Sequence, residues 1–312
     1  MMFRIFTEPQ QGASYDQLLA AARTAEAAGY GAFFRSDHYL KMGDVSGLPG
    51  VTDAWTTLAG LARDTSTIRL GTLVTPVTFR HPGSFAVIAA QVDQMSGGRV
   101  DIGIGAGWYG QEHEAFGLPF PELADRYALL EDSLAILAGA WSAPSGSTFD
   151  YEGRTVSVHL PVDTVRPVQH PRPPIVLGGQ GNPKSARLAA TYAAEYNTPF
   201  VSAEQMKATH DKVRAACEAA GRDPASMVYS AALVLCCGES ESEVERRAIA
   251  IGRNVADLRD QGLAGTPDEV LRKVEQYAEA GAERFYLQVL DITDLDHLRL
   301  VAERVMPYAP GV

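Results

Sequence analysis

Asp37 and His38 stand side by side where a short apolar run, Ala32–Arg35, gives way to a polar loop. An imidazole titrates near neutrality and suits proton transfer, and a neighbouring carboxylate can fix the polar edge of a ligand. The competing reading is structural, with Asp37 capping a turn and His38 a satisfied surface residue. A second set lies in SGGRVDIGIGAGWYGQEHEAFG (96–117), where Val100, Ile102 and Ile104 alternate with Asp101, Gly103 and Gly105. That is the two-residue period of a strand. Its glycines, with Gly107, mark a backbone that is approached closely or bends sharply. The strand runs into a loop carrying Trp108, Gln111, Glu112 and His113. An aromatic ring, a carboxylate and an imidazole at a strand's carboxyl end read as one wall of a site. Glu112 and His113 lack the spacing of a metal pair, and no metal is expected.

The third set is Gly178-Gly179-Gln180-Gly181, between an apolar run and a helix beginning near Asn182-Pro183. Small residues let such a turn point its N–H groups outward, and the helix dipole adds positive potential. Lys184 and Arg187 follow, so a phosphate is one reading and a tight structural turn the other. The pattern is neither a P-loop nor a dinucleotide fingerprint.

A scaffold must bring these distant strand ends together. Strands are expected at Phe3–Thr7, Ala32–Arg35, Ile68–Val74, from Val100, Pro174–Leu177, Ala194–Asn197, Val228–Cys237 and Phe285–Val289. Helical spacing or capping residues mark Tyr15–Ala28 after Ser14, a helix from Thr52 or Asp53 to Asp64, and one around Phe85–Met95. Further helices are expected at Arg126–Ala138, from Lys184, through Ala219, around Val244–Leu258, at Asp268–Ala280 and around Leu295–Val305. Residues 142–174 shift to Pro, Gly, Ser and Thr and contain FDYEGRTVSV, a hairpin within an insertion between the fourth helix and fifth strand. Eight strand–helix units predict one α/β domain over 1–312, a (β/α)8 TIM barrel, with an open doubly wound sheet as the competitor. Such a barrel builds its site at the carboxyl ends of its strands. Those ends supply Glu8, Asp37-His38, Thr72–Pro76, Trp108–Glu112, Gly178–Gly181 and Asn197, and the opposite ends show no comparable set.

A formal charge of -11 without a Lys/Arg cluster argues against nucleic acid. Cys217, Cys236 and Cys237 have neither metal nor disulfide spacing. MMFRIFTEP has no signal-peptide architecture, and no apolar run is long enough for a bilayer, so a cytoplasmic location without membrane association is expected.

SDHY (36–39), LGTLVTP (70–76) with RHP (80–82), the stretch 96–117, PVQHPRPPIVLGGQGNPKSARLAATYAAEYN (167–197) and GTPDEV (265–270) form one ordered pattern. Together they resemble the bacterial luciferase-like superfamily, in particular its coenzyme F420-dependent branch. The resemblance implies a flavin or deazaflavin at the carboxyl ends of the strands and a homodimer. It also implies a non-proline cis peptide at Leu73–Val74 under the ring. Asp37 and His38 match residues at that ring, His38 as proton donor or acceptor, and Gly178, Gly179 and Gly181 match the phosphate turn. With them the cofactor set comprises Thr72, Leu73, Val74, Thr75, Gly107, Trp108, Gln111 and Gln180, and the catalytic pair is His38 and Glu112. Relatives that oxidise sugar phosphates carry a glutamate just after the fourth strand's glycines. Here Trp108 stands in that place and Glu112 lies further along. The implied activity is hydride transfer between F420 and a small organic substrate. An FMN-dependent monooxygenase using reduced flavin and oxygen is the alternative, and a cofactor carrier without turnover the third reading.

Overall fold

Successive side chains of a strand point to opposite faces, so one short strand samples two environments. In β1 (Phe3–Thr7), Phe3 and Ile5 join the main apolar cluster, while Arg4 and Phe6 turn the other way. The computed structural model describes residues 3–163 and 166–310. The barrel strands that follow are β2 (Ala32–Arg35), β3 (Arg69–Thr72), β4 (Val100–Gly105) and β5 (Ile175–Gly178). They continue as β6 (Glu195–Pro199), β7 (Val228–Cys237) and β8 (Arg284–Val289). Each pairs in parallel with the next. β8 returns to β1, with Phe3 opposite Phe285, so the sheet closes and the open-sheet alternative falls. The fold is a (β/α)8 barrel.

The inward positions form layers, as the two-residue period requires. Midway up, Phe6, Ala32, Phe34, Ala232 and Tyr286 pack together, Phe34 edge-on to Tyr286 at 4.9 Å. Below them lies a charged floor, which corrects the expectation that the amino ends carry nothing comparable. Arg4 Nη1 lies 2.7 Å from Asp101 and donates to the Tyr286 hydroxyl at 3.0 Å. Arg69 Nε donates to Asp101 at 3.0 Å, and Arg284 meets Glu195 at 2.6 Å. Buried charges persist where they are paired, as these are. Above the aromatic layer the barrel opens, and Glu8 lines the opening.

Caps explain most helix boundaries. Ser14 and Gln17 form a capping box before Tyr15–Ala27, and the Asp53 side chain accepts the Thr56 N–H before Ala54–Asp64. The helix expected over Val244–Leu258 is two, Glu241–Ala250 and Val255–Gln261. Gly252 at φ 64° lets Arg253 N–H return to Ala248 O, and the Asn254 side chain caps the second helix. The helix expected from Arg126 starts earlier, spanning Leu123–Ser142. Gln111, Glu112 and His113 lie in a short helix, Gly110–Phe116, and not in a loop. The third strand stops at Thr72, and a two-residue strand, Thr75–Pro76, rejoins β4 beyond a cis Leu73–Val74 peptide. A short strand at Leu263–Gly265, absent from the sequence reading, pairs with β7. The insertion holds the expected hairpin, Thr148–Glu152 with Ser157–Pro161. Asp132 ties it to the barrel by accepting the Tyr151 hydroxyl at 2.9 Å and the Thr155 N–H at 2.7 Å. Among the described residues no helix is long and apolar enough to cross a membrane.

Gly103 shows why β4 tolerates no side chain at its middle. A Cβ there would lie 1.7 Å from the Thr72 carbonyl oxygen, which is backbone and cannot swing away. Gly103→Ala is expected to destabilise the protein by about 3 kcal/mol or more, as severe overpacking does. Urea denaturation checks this, and a loss under about 1 kcal/mol would show that the β3–β4 spacing can relax.

Candidate active site

At the carboxyl ends of the strands the barrel encloses a cavity of about 420 Å³. One wall is nearly bare backbone, from Leu73, Val74, Gly105, Ala106, Gly107, Gly178 and Gly179. Phe6, Ala232, Asn197 and Pro199 form its base and far side, and Leu123, Tyr127, Trp108 and Phe200 its rim. Leu123 comes from the extra first turn of its helix, before the expected start at Arg126, and Tyr127 from just inside the expected span. Glu8 reaches the cavity from the end of β1, its carboxylate accepting from Gln288 Nε2 at 2.8 Å and also from Gln10.

His38 is the titratable ring on this cavity, and its two nitrogens have different surroundings. Nδ1 lies 3.0 and 3.1 Å from the Glu112 carboxylate oxygens. A carboxylate only accepts, so Nδ1 carries a hydrogen. Nε2 has no hydrogen-bond partner among the described residues, and His38 lines the cavity. Glu112 is 1% exposed and stands behind His38, also accepting the Tyr39 N–H at 3.0 Å. It therefore holds the ring in one tautomer and does not itself face the cavity. The short helix that carries it is pinned by His113, whose Nδ1 donates to Tyr109 O at 2.8 Å and whose Nε2 contacts Thr78 Oγ1 at 2.6 Å. Trp108 lies edge-on to His38 at 5.7 Å and stacks on Tyr109.

Burial works against the His38 imidazolium. The Glu112 hydrogen bond and charge, with Glu8 and Asp37 further off, outweigh it, so the pKa is raised. This raised value means that His38 adds stability below its unfolded pKa, and that this increment is lost as pH rises through the folded one. In Glu112→Gln burial is no longer countered by the adjacent charge, so the His38 titration followed by NMR should move to lower pH. An unmoved titration would show that Glu112 does not set the charge on the ring.

Asp37 is not at the cavity. It is fully buried on the outward side of the chain, 2.5 Å from Arg80 Nη1 and accepting the Thr75 hydroxyl at 2.8 Å. Thr75 in turn accepts from Trp55 Nε1, Arg80 also contacts Asp53, and Tyr39 OH donates to Asp53 at 2.8 Å. Thr72 donates to Gly103 O. Asp37, Thr72 and Thr75, expected to meet a cofactor, thus belong to the framework that sets the Leu73–Val74 wall. Past the end of β2 at Arg35 the two neighbours part, His38 lining the cavity and Asp37 meeting Arg80. Gln111 and Gln180 are exposed and line no part of the cavity.

The glycine turn differs from its expected form. Gly179 N–H donates to Asn197 O at 3.0 Å and Gly181 N–H to the Tyr196 hydroxyl at 3.0 Å, so both point inward. Lys184 and Ser185 N–H are capped by Asn182 Oδ1. The N–H groups of Gln180 and Asn182 make no hydrogen bond among the described residues. Lys184 lies over the Tyr127 ring at 5.9 Å without an acidic partner among the described residues. These two N–H groups and Lys184 are what the turn offers an anion. A wall of glycine and alanine backbone with Leu73 and Val74, and N–H groups unpaired among the described residues in the turn after Gly179, fit an apolar ring system that carries a phosphate.

The family model for luciferase-like monooxygenases matches residues 1–262. The F420-dependent hydroxymycolic acid dehydrogenase of Mycobacterium tuberculosis is 30% identical over 261 residues, 83% of this chain and 68% of that protein. The FMNH(2)-dependent dimethylsulfone monooxygenase of Pseudomonas putida is 29% identical over 190 residues, 61% of this chain and 49% of that protein. The match thus spans just over two thirds of the first of these relatives and about half of the second. The structure of the F420-dependent tetrahydromethanopterin reductase of Methanopyrus kandleri superposes with a TM-score of 0.79, covering 98% of each chain at 20% identity. That last likeness is one of fold.

Proposed function

The chain belongs to the luciferase-like monooxygenase family and is an oxidoreductase; on that premise we propose that it transfers a hydride between coenzyme F420 and a small organic substrate. The observation that carries this reading is the His38 ring, one nitrogen fixed on Glu112 and the other free toward the cavity. Hydride transfer to or from a carbonyl carbon needs a proton at the oxygen, and His38 Nε2 is placed to give or take it. Glu112 acts through His38 as a positioning residue, holding its tautomer and favouring its charged form. Leu73, Val74, Gly107, Trp108, Gly178 and Gly179 would flank the cofactor ring. The Gln180 and Asn182 N–H groups, with Lys184, would take its phosphate. When bound, the deazaflavin supplies or accepts the hydride. The protein's share is to orient, to exclude water and to move one proton.

The M. tuberculosis dehydrogenase, matched over more of this chain than the P. putida monooxygenase, supports F420. The second reading, an FMN-dependent monooxygenase using reduced flavin and oxygen, is favoured by the P. putida relative. Titrating the purified protein with F420 and with FMN separates them. F420 is expected to bind at least about tenfold more tightly, a difference of about 1.4 kcal/mol. Tight FMN binding without F420 binding would reverse the assignment. The same reading carries a homodimer, with the sequence resemblance as its support and sedimentation as its test, and a cytoplasmic location.

A further inference from the structure

We infer that a second chamber beside the cavity is the substrate's site and that it selects an uncharged molecule with a hydroxyl or carbonyl head and an apolar body. The inference rests on reading the first cavity as the cofactor's. The second chamber has a volume of about 740 Å³, enough for a molecule well beyond a simple sugar. Glu8, Met42, Trp108 and Phe200 line both spaces and so form the neck between them. Trp108 lies against His38, which puts a head group in the neck beside the proton-transferring nitrogen.

Two features set the substrate class. Val234 of β7, Leu290 just after β8 and Leu258 of the helix Val255–Gln261 give the chamber apolar patches, between the uncharged amides of Gln11, Asn254, Gln261 and Gln288. Its charged lining is Glu8 and Asp257 against Arg253, two carboxylates and one exposed guanidinium. The Glu8 carboxylate is held in the neck by Gln10 and Gln288 and cannot swing aside for an anion. A phosphorylated or carboxylated substrate would meet like charge at the neck and only one counter-charge in the chamber. Phe200 supplies a further sign of a ligand clamp. It is the non-glycine residue with positive φ among the described residues, at 53°, and its N–H is fixed on Ala232 O at 2.9 Å. Non-glycine residues held in that region cluster at ligand sites.

Trp108 reports on the neck directly, because it is 66% exposed while Trp55 and Trp141 are buried. Titrating the cofactor-free protein with 2-undecanone should give a saturable change in tryptophan fluorescence that Trp108→Phe abolishes. Glucose 6-phosphate should give none. Val234→Asp should weaken the ketone at least about tenfold, and the near-isosteric Val234→Thr by less than that. Met42→Asp, on a surface loop, repeats the test if Val234→Asp does not fold. Glucose 6-phosphate binding as tightly as the ketone would overturn the inference. So would ketone binding that ignores both acidic substitutions, or the absence of any ketone signal. Cofactor binding, followed separately by cofactor absorbance, keeps the two readings apart. Lost cofactor binding with an intact ketone signal would overturn the cofactor reading, and the reverse result would overturn this one.

Discussion

In His38→Ala, kcat is expected to fall by about 10²- to 10⁴-fold, the usual contribution of a positioned general acid or base, with cofactor affinity changed less than about tenfold. The ring offers its free nitrogen to the cavity and no hydrogen bond to the backbone wall, so it should matter more for turnover than for binding. Glu112→Gln should be milder and different in kind. It should displace the pH–rate profile to lower pH, following the His38 pKa, while His38→Ala should remove the His38 limb altogether. A purely structural role for Glu112 would lower the rate without moving the profile. Unchanged turnover in His38→Ala would take His38 out of the mechanism.

Asp37→Ala should lower stability by about 3 kcal/mol, the lower end of the cost of breaking a buried ion pair, because Arg80 keeps Asp53 as a second carboxylate partner. Asp37 is 0% exposed, the Arg80 side chain is 10% exposed, and the Thr75 and Trp55 hydrogen bonds lean on the same carboxylate. Urea denaturation measures it. Because Asp37 and Arg80 are in contact, the loss in Asp37→Ala combined with Arg80→Met should differ from the sum of the two single losses by at least about 0.5 kcal/mol. A loss in Asp37→Ala below about 1 kcal/mol would show that water reaches Arg80 once the partner is gone.

The barrel was legible in the sequence because alternation and capping are local. Val100–Gly105 and Phe3–Thr7 declare a strand period within a few residues, and Ser14, Asp53 and Asn182 announce the helices that follow. What failed was local punctuation weaker than the apolar pattern around it. The Gly252–Asn254 break sits inside an otherwise helical stretch, and the helix Gly110–Phe116 opens on a glycine without a side-chain cap. Site residues divide the same way. His38, Leu73, Val74, Gly107, Trp108, Gly178 and Gly179 meet around one cavity, as their places at strand ends suggested. Asp37 was expected at the site beside His38, but no strand period applies beyond Arg35, and its carboxylate turns to Arg80. The pairing of His38 with Glu112 spans 74 positions, and no spacing rule joins them. The charged floor was overlooked for a similar reason. Arg4, Asp101 and Glu195 each alternate with apolar neighbours on three different strands, and only the closure of the barrel brings them together.

That floor makes the barrel a blind vessel and not a tube. Arg4, Arg69, Asp101, Glu195 and Arg284 bind one another across the axis, so nothing threads from one end to the other. On the proposed function, cofactor and substrate would then both enter from the one open end, past Trp108 and Phe200, which line both spaces.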